Sequence, residues 1–255
     1  MAEWVGAIKP LLMIDAGHGG VDSGAGGNGI VEKAMTLQIS LYQYERFQEL
    51  GIAVALTRNI DKTLEPNDRT AMIKKSGAKY CMSNHINAAS STSANGAEFI
   101  HSVHSNGKWS SIMAQCLANA GQVLRPRATY SKAQSNGQDY YFMHRLTGNV
   151  ETVIVEYGFL SNSTDADRLK SNWKSYAEAM VKAFCEYTNH PYQPESVKPI
   201  IVAGFTDIGD HWAKDSIVKA VNSGLMNGVS QDKFAPDEPI TRAQIAVILD
   251  RAGLS

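Results

Sequence analysis

Two histidines and two glutamates stand where an α/β protein collects its reactive groups. His18 follows the apolar run LLMID, His85 ends the run YCMSNH, and Glu156 ends the run ETVIVE. Each run is typical of a buried strand, and ligands and catalytic groups lie beyond the carboxyl ends of the strands in an open α/β sheet. Glu32 follows a loop with seven glycines between residues 17 and 29. It begins a predicted helix, and we expect the start of that helix to lie at the same edge of the sheet as the strand ends.

These residue types match a catalytic zinc site. Two imidazoles and one carboxylate are a usual ligand set, which leaves a fourth position for water, and a second carboxylate that does not bind the metal serves as general base. Simpler interpretations exist, because a histidine at a strand end is commonly structural and Glu32 suits the first turn of a helix. Glu156 is the hardest to explain without a function, since a carboxylate ending an apolar strand is costly to bury unpaired.

Other motifs are weaker. The glycine loop lacks the third glycine of a dinucleotide-binding motif, because Asp22 stands at that place, and no GKS or GKT follows. His101 and His104 have an HxxH spacing, and His144 lies in an aromatic-rich stretch. The sequence leaves the roles of these three histidines open.

Composition narrows the class of protein. The 255 residues carry 24 Lys+Arg and 25 Asp+Glu, a net charge of −1, which argues against nucleic acid as the main partner. Three widely spaced cysteines indicate buried thiols in a reducing compartment. The first residues lack the basic start and apolar core of a signal peptide, and no apolar stretch approaches the length of a membrane span. We therefore expect synthesis in the cytoplasm without a signal peptide and no insertion into a membrane.

Strand and helix patterns alternate along most of the chain, which predicts an α/β fold with a mostly parallel sheet flanked by helices. The predicted strands cover residues 11–15, 52–58, 80–85, 97–103 and 151–156, and the predicted helices cover residues 32–50, 67–76, 109–124 and 165–187.

The pattern changes after residue 189. Residues 190–203 contain three prolines and little periodicity, which predicts a linker between a catalytic domain, residues 1–189, and a small α-helical module, residues 204–255. Thr241 and Gln244 fit a capping box at the start of the second helix of that module.

Four segments of the larger domain resemble the zinc-dependent N-acetylmuramoyl-L-alanine amidases of bacterial autolysins, sporulation lysins and phage endolysins. They are IDAGHGGVDSGAGGNGIVEK, ALTR followed by NDRTAMI, SNHINA, and VIVEYGFLSN. The resemblance implies that His18, Glu32 and His85 bind Zn²⁺ and that Glu156 is catalytic. It also implies hydrolysis of the peptidoglycan amide between the lactyl group of N-acetylmuramic acid and L-alanine of the stem peptide.

Three further residues match the same family pattern. Asp15 either orients a zinc ligand without binding the metal itself or caps a loop. Arg58 and Arg69 are interpreted as structural ion-pair residues.

The C-terminal residues resemble a single S-layer homology motif, through FTDI, HWA and FAPDEPITRAQ. The resemblance implies docking onto a secondary cell-wall polymer. Arg242 is the best candidate for contact with an anionic wall group, and Trp212 is a second candidate. Gln244 replaces the usual glutamate of this motif, which leaves the ligand contact there open.

The family normally carries three copies of this motif, whereas this chain has one. Two helices in about 50 residues make a marginal core. We therefore expect self-association through the module, for instance as a trimer, or docking onto the catalytic domain. A module that only adds stability is the alternative.

The preferred functional hypothesis is a peptidoglycan amidase, most simply a phage endolysin that reaches the wall through a holin pore. A mother-cell or autolytic amidase of the host is the second hypothesis. A non-enzymatic cell-wall-binding protein is the third, although the four matched site residues argue against it.

Overall fold

The computed structural model describes residues 3–195 and 204–252. The chain divides into two compact units between Gln193 and Pro194. Residues 196–203 of the expected linker lie outside the described residues, as do residues 1–2 and 253–255.

The first unit is a seven-stranded mixed sheet with helices on both faces, and a two-stranded hairpin lies in the glycine-rich loop. The predicted fold class is confirmed. The elements are β1 (Val5–Gly6), β2 (Leu12–Ala16), β3 (Gly26–Gly27), β4 (Ile30–Val31), α1 (Glu32–Glu49), β5 (Val54–Leu56), α2 (Pro66–Ser76), β6 (Tyr80–Asn87), β7 (Ala97–His101), α3 (Lys108–Asn119), β8 (Leu124–Tyr130), α4 (Phe142–Arg145), β9 (Glu151–Phe159) and α5 (Ser163–Thr188).

The strand order is β1-β5-β2-β6-β9-β7-β8. β5, β2, β6 and β9 run parallel to one another, whereas β7 is antiparallel to β9, and β8 is parallel to β7. The last strand in the sequence, β9, therefore lies inside the sheet between two earlier strands.

Both faces of the sheet are covered, which explains the continuous apolar runs of its strands. Leu12 and Ile14 point into the larger core under α1, α3 and α5. Met13, between them, points into a smaller core that includes Ile73 of α2 and Met143 of α4. Successive side chains alternate between two apolar layers, so no polar position interrupts the run.

The prediction of a helix over residues 109–124 is wrong at its C-terminal end. The helix ends at Asn119, and Gly121 follows with φ 93°, a left-handed conformation that glycine adopts readily. The chain then forms the edge strand β8, whose sequence LRPRATY has a proline and two arginines. Such a strand suits a sheet edge but lacks the apolar pattern by which strands are recognised.

The second unit contains α6 (Lys214–Asn222) and α7 (Arg242–Arg251). Its buried core consists of Ile208, Ile217, Val218 and Phe234. The capping box is confirmed: Thr241 Oγ1 accepts from the Gln244 amide, and the Gln244 side chain accepts from the Thr241 amide. No residue of α7 is buried within the described residues.

In the described part of the chain, no helix has the length and apolarity needed to cross a bilayer.

Candidate metal centre

The structure brings the four predicted site residues to one edge of the sheet. His85 on β6 lies opposite Glu156 on β9 in the parallel register. His18 lies in the loop just after β2, and Glu32 is the first residue of α1. The central strands thus fix two side chains, whereas the glycine-rich loop and a helix start supply the other two.

Three of these side chains converge closely enough to share one metal ion. One potential ligand atom from each of His18, Glu32 and His85 lies within 4.8 Å of the others. Glu32 Oε1 lies 3.1 Å from His18 Nε2 and 3.1 Å from His85 Nδ1. The two imidazole rings meet edge to face, with centroids 5.0 Å apart.

Glu32 is held as a carboxylate. Burial alone would raise its pKa, but the hydrogen bonds with His18 and His85 outweigh burial and hold the pKa well below its usual range. The backbone amides of Ala25 and Ile86 also donate to it, at 2.8 and 3.0 Å. An ionised carboxylate facing two imidazoles is a ligand set suited to zinc.

Two glycines allow the ligands to approach each other. A Cβ on Gly17 would lie 2.5 Å from His85 Cε1. A Cβ on Gly24, which has φ +63°, would lie 2.6 Å from Glu32 Oε2 and 2.7 Å from His18 Cδ2. Any side chain at these positions would displace His85, Glu32 or His18, so the glycines allow the three side chains to converge.

His18 itself has φ 60°, an uncommon conformation for a residue other than glycine. Two neighbours hold it there. Asp22 Oδ2 lies 2.8 Å from His18 Nδ1, and Arg69 Nη2 donates to the His18 carbonyl at 2.8 Å. The Asp22 contact leaves Nε2 facing Glu32, as a metal ligand requires.

Asp15 acts on this centre through Arg69. Its fully buried carboxylate forms an ion pair with Arg69 and accepts hydrogen bonds from Thr57 and Ser83, both at 2.7 Å. Burial opposes ionisation, but Arg69 leads the effects that lower the pKa of Asp15. Asp15 therefore fixes the arginine that holds the His18 backbone, and Arg69 is an ion-pair residue as predicted.

Arg58 differs from the prediction of an ion pair. Its buried guanidinium donates to backbone carbonyls of Ala16, Gly17, Ile60 and Lys33, at 2.8 to 3.2 Å. These bonds tie β2, the glycine-rich loop and α1 together. A motif match fixes the residue type but does not show whether the partner is a carboxylate or a carbonyl.

Glu156 lies next to the three converging side chains and is unlike them. Its Oε2 atom is buried and has no hydrogen-bond partner among the described residues. Burial raises the pKa of Glu156 well above its usual range, and the carboxylates of Glu32 and Glu98 raise it further. A carboxyl oxygen with no partner among the described residues, beside a metal-type cluster, is suited to proton exchange.

Sequence reasoning missed Glu98 and Arg125, which lie on the other side of Glu156. Glu98 on β7 lies directly opposite Glu156 in the antiparallel register and forms an ion pair with Arg125 at 2.9 Å. Asn87, two residues after His85, donates to Glu98 at 2.9 Å. The sequence did not indicate a role for Arg125, because this residue lies on edge strand β8, which the apolar periodicity did not predict.

The remaining histidines of the first unit are not part of this cluster, which is the one metal-type group found among the described residues. His144 is buried and contacts the carbonyl of Ile100 at 3.2 Å. His101 contacts the carbonyl of Ser102, and His104 is exposed.

In the second unit, Trp212 is 91% exposed, and Arg242 is exposed at the first position of α7. The structure does not bring them together through any contact among the described residues.

The fold and the site define an α/β protein with a metal-type cluster beside a carboxyl group of raised pKa. Comparison with known proteins identifies the family. Residues 12–186 match the N-acetylmuramoyl-L-alanine amidase family, and residues 204–246 match the S-layer homology domain. The chain belongs to the N-acetylmuramoyl-L-alanine amidase family and carries an S-layer homology domain, which confirms both resemblances.

Individual relatives agree with this assignment. YqiI of Bacillus subtilis is 31% identical over 193 residues, which cover 73% of this chain and 91% of YqiI. The amidase CwlM of Bacillus licheniformis is 27% identical over 181 residues, 68% of each chain. The catalytic domain of the amidase CwlV, from Bacillus (Paenibacillus) polymyxa var. colistinus, superimposes with a TM-score of 0.63 at 26% identity, covering 71% of this chain and 98% of that domain.

Shorter matches reach higher identity. A sporulation-specific amidase of Bacillus subtilis is 40% identical over 88 residues, which cover 32% of this chain and 32% of that protein. The endolysin of Bacillus phage SPP1 is 40% identical over 82 residues, which cover 32% of this chain and 30% of the endolysin.

Proposed function

We propose that this amidase uses zinc to hydrolyse the amide between the lactyl group of N-acetylmuramic acid and L-alanine of the stem peptide. The observation that carries the proposal is the buried Oε2 of Glu156, which has no partner among the described residues and lies beside the cluster of His18, Glu32 and His85.

The residues present fit a zinc ion. Two imidazoles and an ionised carboxylate converge within 4.8 Å, and the Cβ-free positions at Gly17 and Gly24 leave the space that these ligands need. Three protein ligands leave a coordination position open. When bound, zinc supplies Lewis acidity, which polarises a carbonyl and acidifies water.

Glu156 is the proposed general base and acid. Its carboxylate takes a proton from the attacking water as the tetrahedral carbon forms, and the carboxyl group then returns that proton to the leaving amine of L-alanine. Burial and the nearby carboxylates favour the protonated form, so the group is a strong proton acceptor once it is ionised. The lack of a competing hydrogen-bond partner leaves Oε2 available for this exchange.

The test separates proton exchange from metal binding. We expect Glu156→Gln to reduce the release of new L-alanine amino termini from peptidoglycan by about 10²- to 10⁴-fold, with stoichiometric zinc retained. Glu45→Gln makes the same chemical change on the exposed side of α1 and should leave activity unchanged. A Glu156→Gln variant with near-normal activity would show that the base is another group.

The ligand set has its own test. His18→Ala should lose both zinc and activity, because it removes one of three ligands. Stoichiometric zinc in that variant by metal analysis would exclude His18 from the site.

The S-layer homology domain is the proposed wall-polymer contact, through Trp212 and Arg242. An indole that is 91% exposed offers an apolar face to a sugar ring, and an exposed guanidinium at the start of a helix suits an anionic group. Binding of Trp212→Ala and Arg242→Gln to cell walls, with and without their secondary polymer, tests this. Unchanged binding by both variants would contradict it.

The same domain is the proposed site of self-association, as a trimer. α7 has no buried residue among those described, and Ile245, Val247 and Leu249 are each more than 40% exposed. Light scattering of the full chain, compared with Val247→Glu, tests the assembly. A wild-type monomer at high concentration would refute it.

A lytic role in a phage life cycle is the proposed biological setting. The similarity to a phage endolysin supports it, but a sporulation-specific host amidase matches to the same extent. Lysis of host cells on co-expression with a holin would support the phage role. Lysis confined to sporulating mother cells would instead favour the host role.

A further inference from the structure

Among the described residues of the first unit, the terminal nitrogens of one arginine near Glu156 have no hydrogen-bond acceptor. Arg125 Nε pairs with Glu98 Oε2 at 2.9 Å, and its guanidinium lies 4.8 Å from the centroid of the Phe159 ring. Within residues 3–195, neither terminal nitrogen donates a hydrogen bond to a protein atom, and the side chain is 34% exposed. Because Nε faces Glu98 and the guanidinium plane lies near the Phe159 ring, the two terminal nitrogens remain available to donate a pair of hydrogen bonds.

The ladder between β7 and β8 is irregular near this arginine. Ala97 pairs with Leu124, but Phe99 pairs with Thr129, so β8 carries three extra residues between Leu124 and Thr129, a stretch that includes Arg125. Bulges at sheet edges and beside active sites re-aim side chains. Arg125 lies in this irregular stretch, and its Nε faces Glu98, the residue opposite Glu156.

The charge of Glu98 is already well compensated. Its Oε1 accepts from Asn87 at 2.9 Å and from Tyr130 at 3.3 Å, while Oε2 faces Arg125. The ion pair therefore fixes the position of Arg125 and leaves its outer nitrogens to bind a further acceptor. A carboxylate, which accepts two parallel N–H bonds, fits that fork.

The substrate carries its carboxylates on one side of the scissile bond only. In an N-acetylmuramoyl peptide the lactyl carboxyl is consumed in the amide, so the muramoyl residue has no free carboxylate. On the peptide side, the first one is the α-carboxylate of the second residue, a γ-linked D-glutamate. At about 3.5 Å per residue, it lies about 7 Å from the scissile carbonyl.

We propose that Arg125 binds this α-carboxylate, and the assignment rests on the amidase function proposed above. Glu98, to which Arg125 is paired, lies one strand from Glu156, and neighbouring strands are about 5 Å apart. The position of Arg125 relative to Glu156 is therefore compatible with the distance from the scissile carbonyl to the α-carboxylate. The stem peptide then runs from the metal centre towards β7 and β8, and Arg125 selects substrates whose second residue is not amidated.

The experiment compares two disaccharide tripeptides that differ only in whether this α-carboxyl is free or amidated. Cleavage of each is followed with zinc-loaded full-length protein, and kcat and KM are measured for wild type, Arg125→Gln and Arg127→Gln. Arg127 is the matched control, because it lies on the same strand and the substitution removes the same charge. A substitution that only disturbs the fold changes the cleavage of both substrates by the same factor. The ratio of kcat/KM for the free and the amidated substrate therefore reports recognition of the carboxylate.

We expect the wild type to prefer the free carboxylate by about tenfold to a hundredfold in kcat/KM, mainly through KM. Arg125→Gln should bring the ratio near one, and Arg127→Gln should keep it. Arg125→Lys, which keeps the charge without the fork, should show an intermediate ratio.

Equal cleavage of both substrates by the wild type would overturn the assignment. So would a preference that survives Arg125→Gln, or one lost equally in Arg127→Gln. Cleavage of neither substrate is a different result: the proposed amidase function itself fails, and this assignment fails with it.

Discussion

The ion pair of Asp15 and Arg69 allows a prediction with a definite size. Arg69→Met removes the guanidinium and keeps most of the volume of the side-chain stem. Asp15 is fully buried, so the substitution leaves its carboxylate with the hydroxyls of Thr57 and Ser83 and without its ion-pair partner. Breaking a buried pair in this way costs about 3–5 kcal/mol of unfolding free energy.

At about 2–4 °C per kcal/mol for a unit of this size, the melting temperature should fall by about 6–20 °C. The double variant Asp15→Asn with Arg69→Met removes both charges of the pair, so it should recover at least about 2 kcal/mol relative to the sum of the single losses. Denaturant unfolding with a chelator present measures both values, because zinc binding then adds nothing to the stability of the folded state.

A second readout links this pair to the metal centre. Arg69 also donates to the carbonyl of His18, whose backbone has an uncommon conformation. Zinc affinity should therefore fall by about tenfold to a hundredfold in Arg69→Met. A loss of stability below about 1 kcal/mol, or a double variant whose loss equals the sum of the single losses, would refute the charge argument.

Three further expectations follow from particular contacts. Gly24→Ala should weaken zinc binding by about tenfold or more, because its Cβ would lie 2.6 Å from Glu32 Oε2; a competition titration that gives wild-type affinity would contradict the fit of the loop. Burial lowers the pKa of His144 to about 4, so the unfolded state binds the proton first as the pH falls. Between pH 6.5 and 4 the unfolding free energy should drop by about 3 kcal/mol more in wild type than in His144→Gln, and parallel pH profiles would exclude this. Asp165→Ala should cost about 2–5 kcal/mol in denaturant unfolding, because the buried carboxylate accepts from the amides of Gly96 and Phe159; a loss below 1 kcal/mol would show that other acceptors replace it.

The site was predictable because its residues follow strong local patterns. His85 and Glu156 follow the buried runs of two strands, and parallel strands bring their carboxyl ends to one edge of the sheet. The strand pattern therefore predicted that the two residues lie together, although 71 positions separate them in the sequence. The two imidazoles, the carboxylate of Glu32 and the second carboxylate of Glu156 then indicated the kind of chemistry.

Other parts of the site depend on contacts that have no pattern in the sequence. The bonds of Arg58 to carbonyls and the path from Asp15 through Arg69 to His18 arise from tertiary packing. Edge strand β8 exposes polar residues and contains Pro126, so it lacks the periodicity of a strand. Arg125 was missed for that reason.

The position of β9 has a consequence for the order in which the protein is completed. β9 is the last strand in the sequence, yet it joins β6 to β7 within the sheet. Until residues 151–159 emerge from the ribosome, the earlier strands form two separate groups with unpaired edges, a state prone to aggregation. The strand that closes this gap also delivers Glu156. A nascent or truncated chain that brings His18, Glu32 and His85 together would therefore still lack Glu156, the proposed base, and we expect amidase activity only once β9 has joined the sheet.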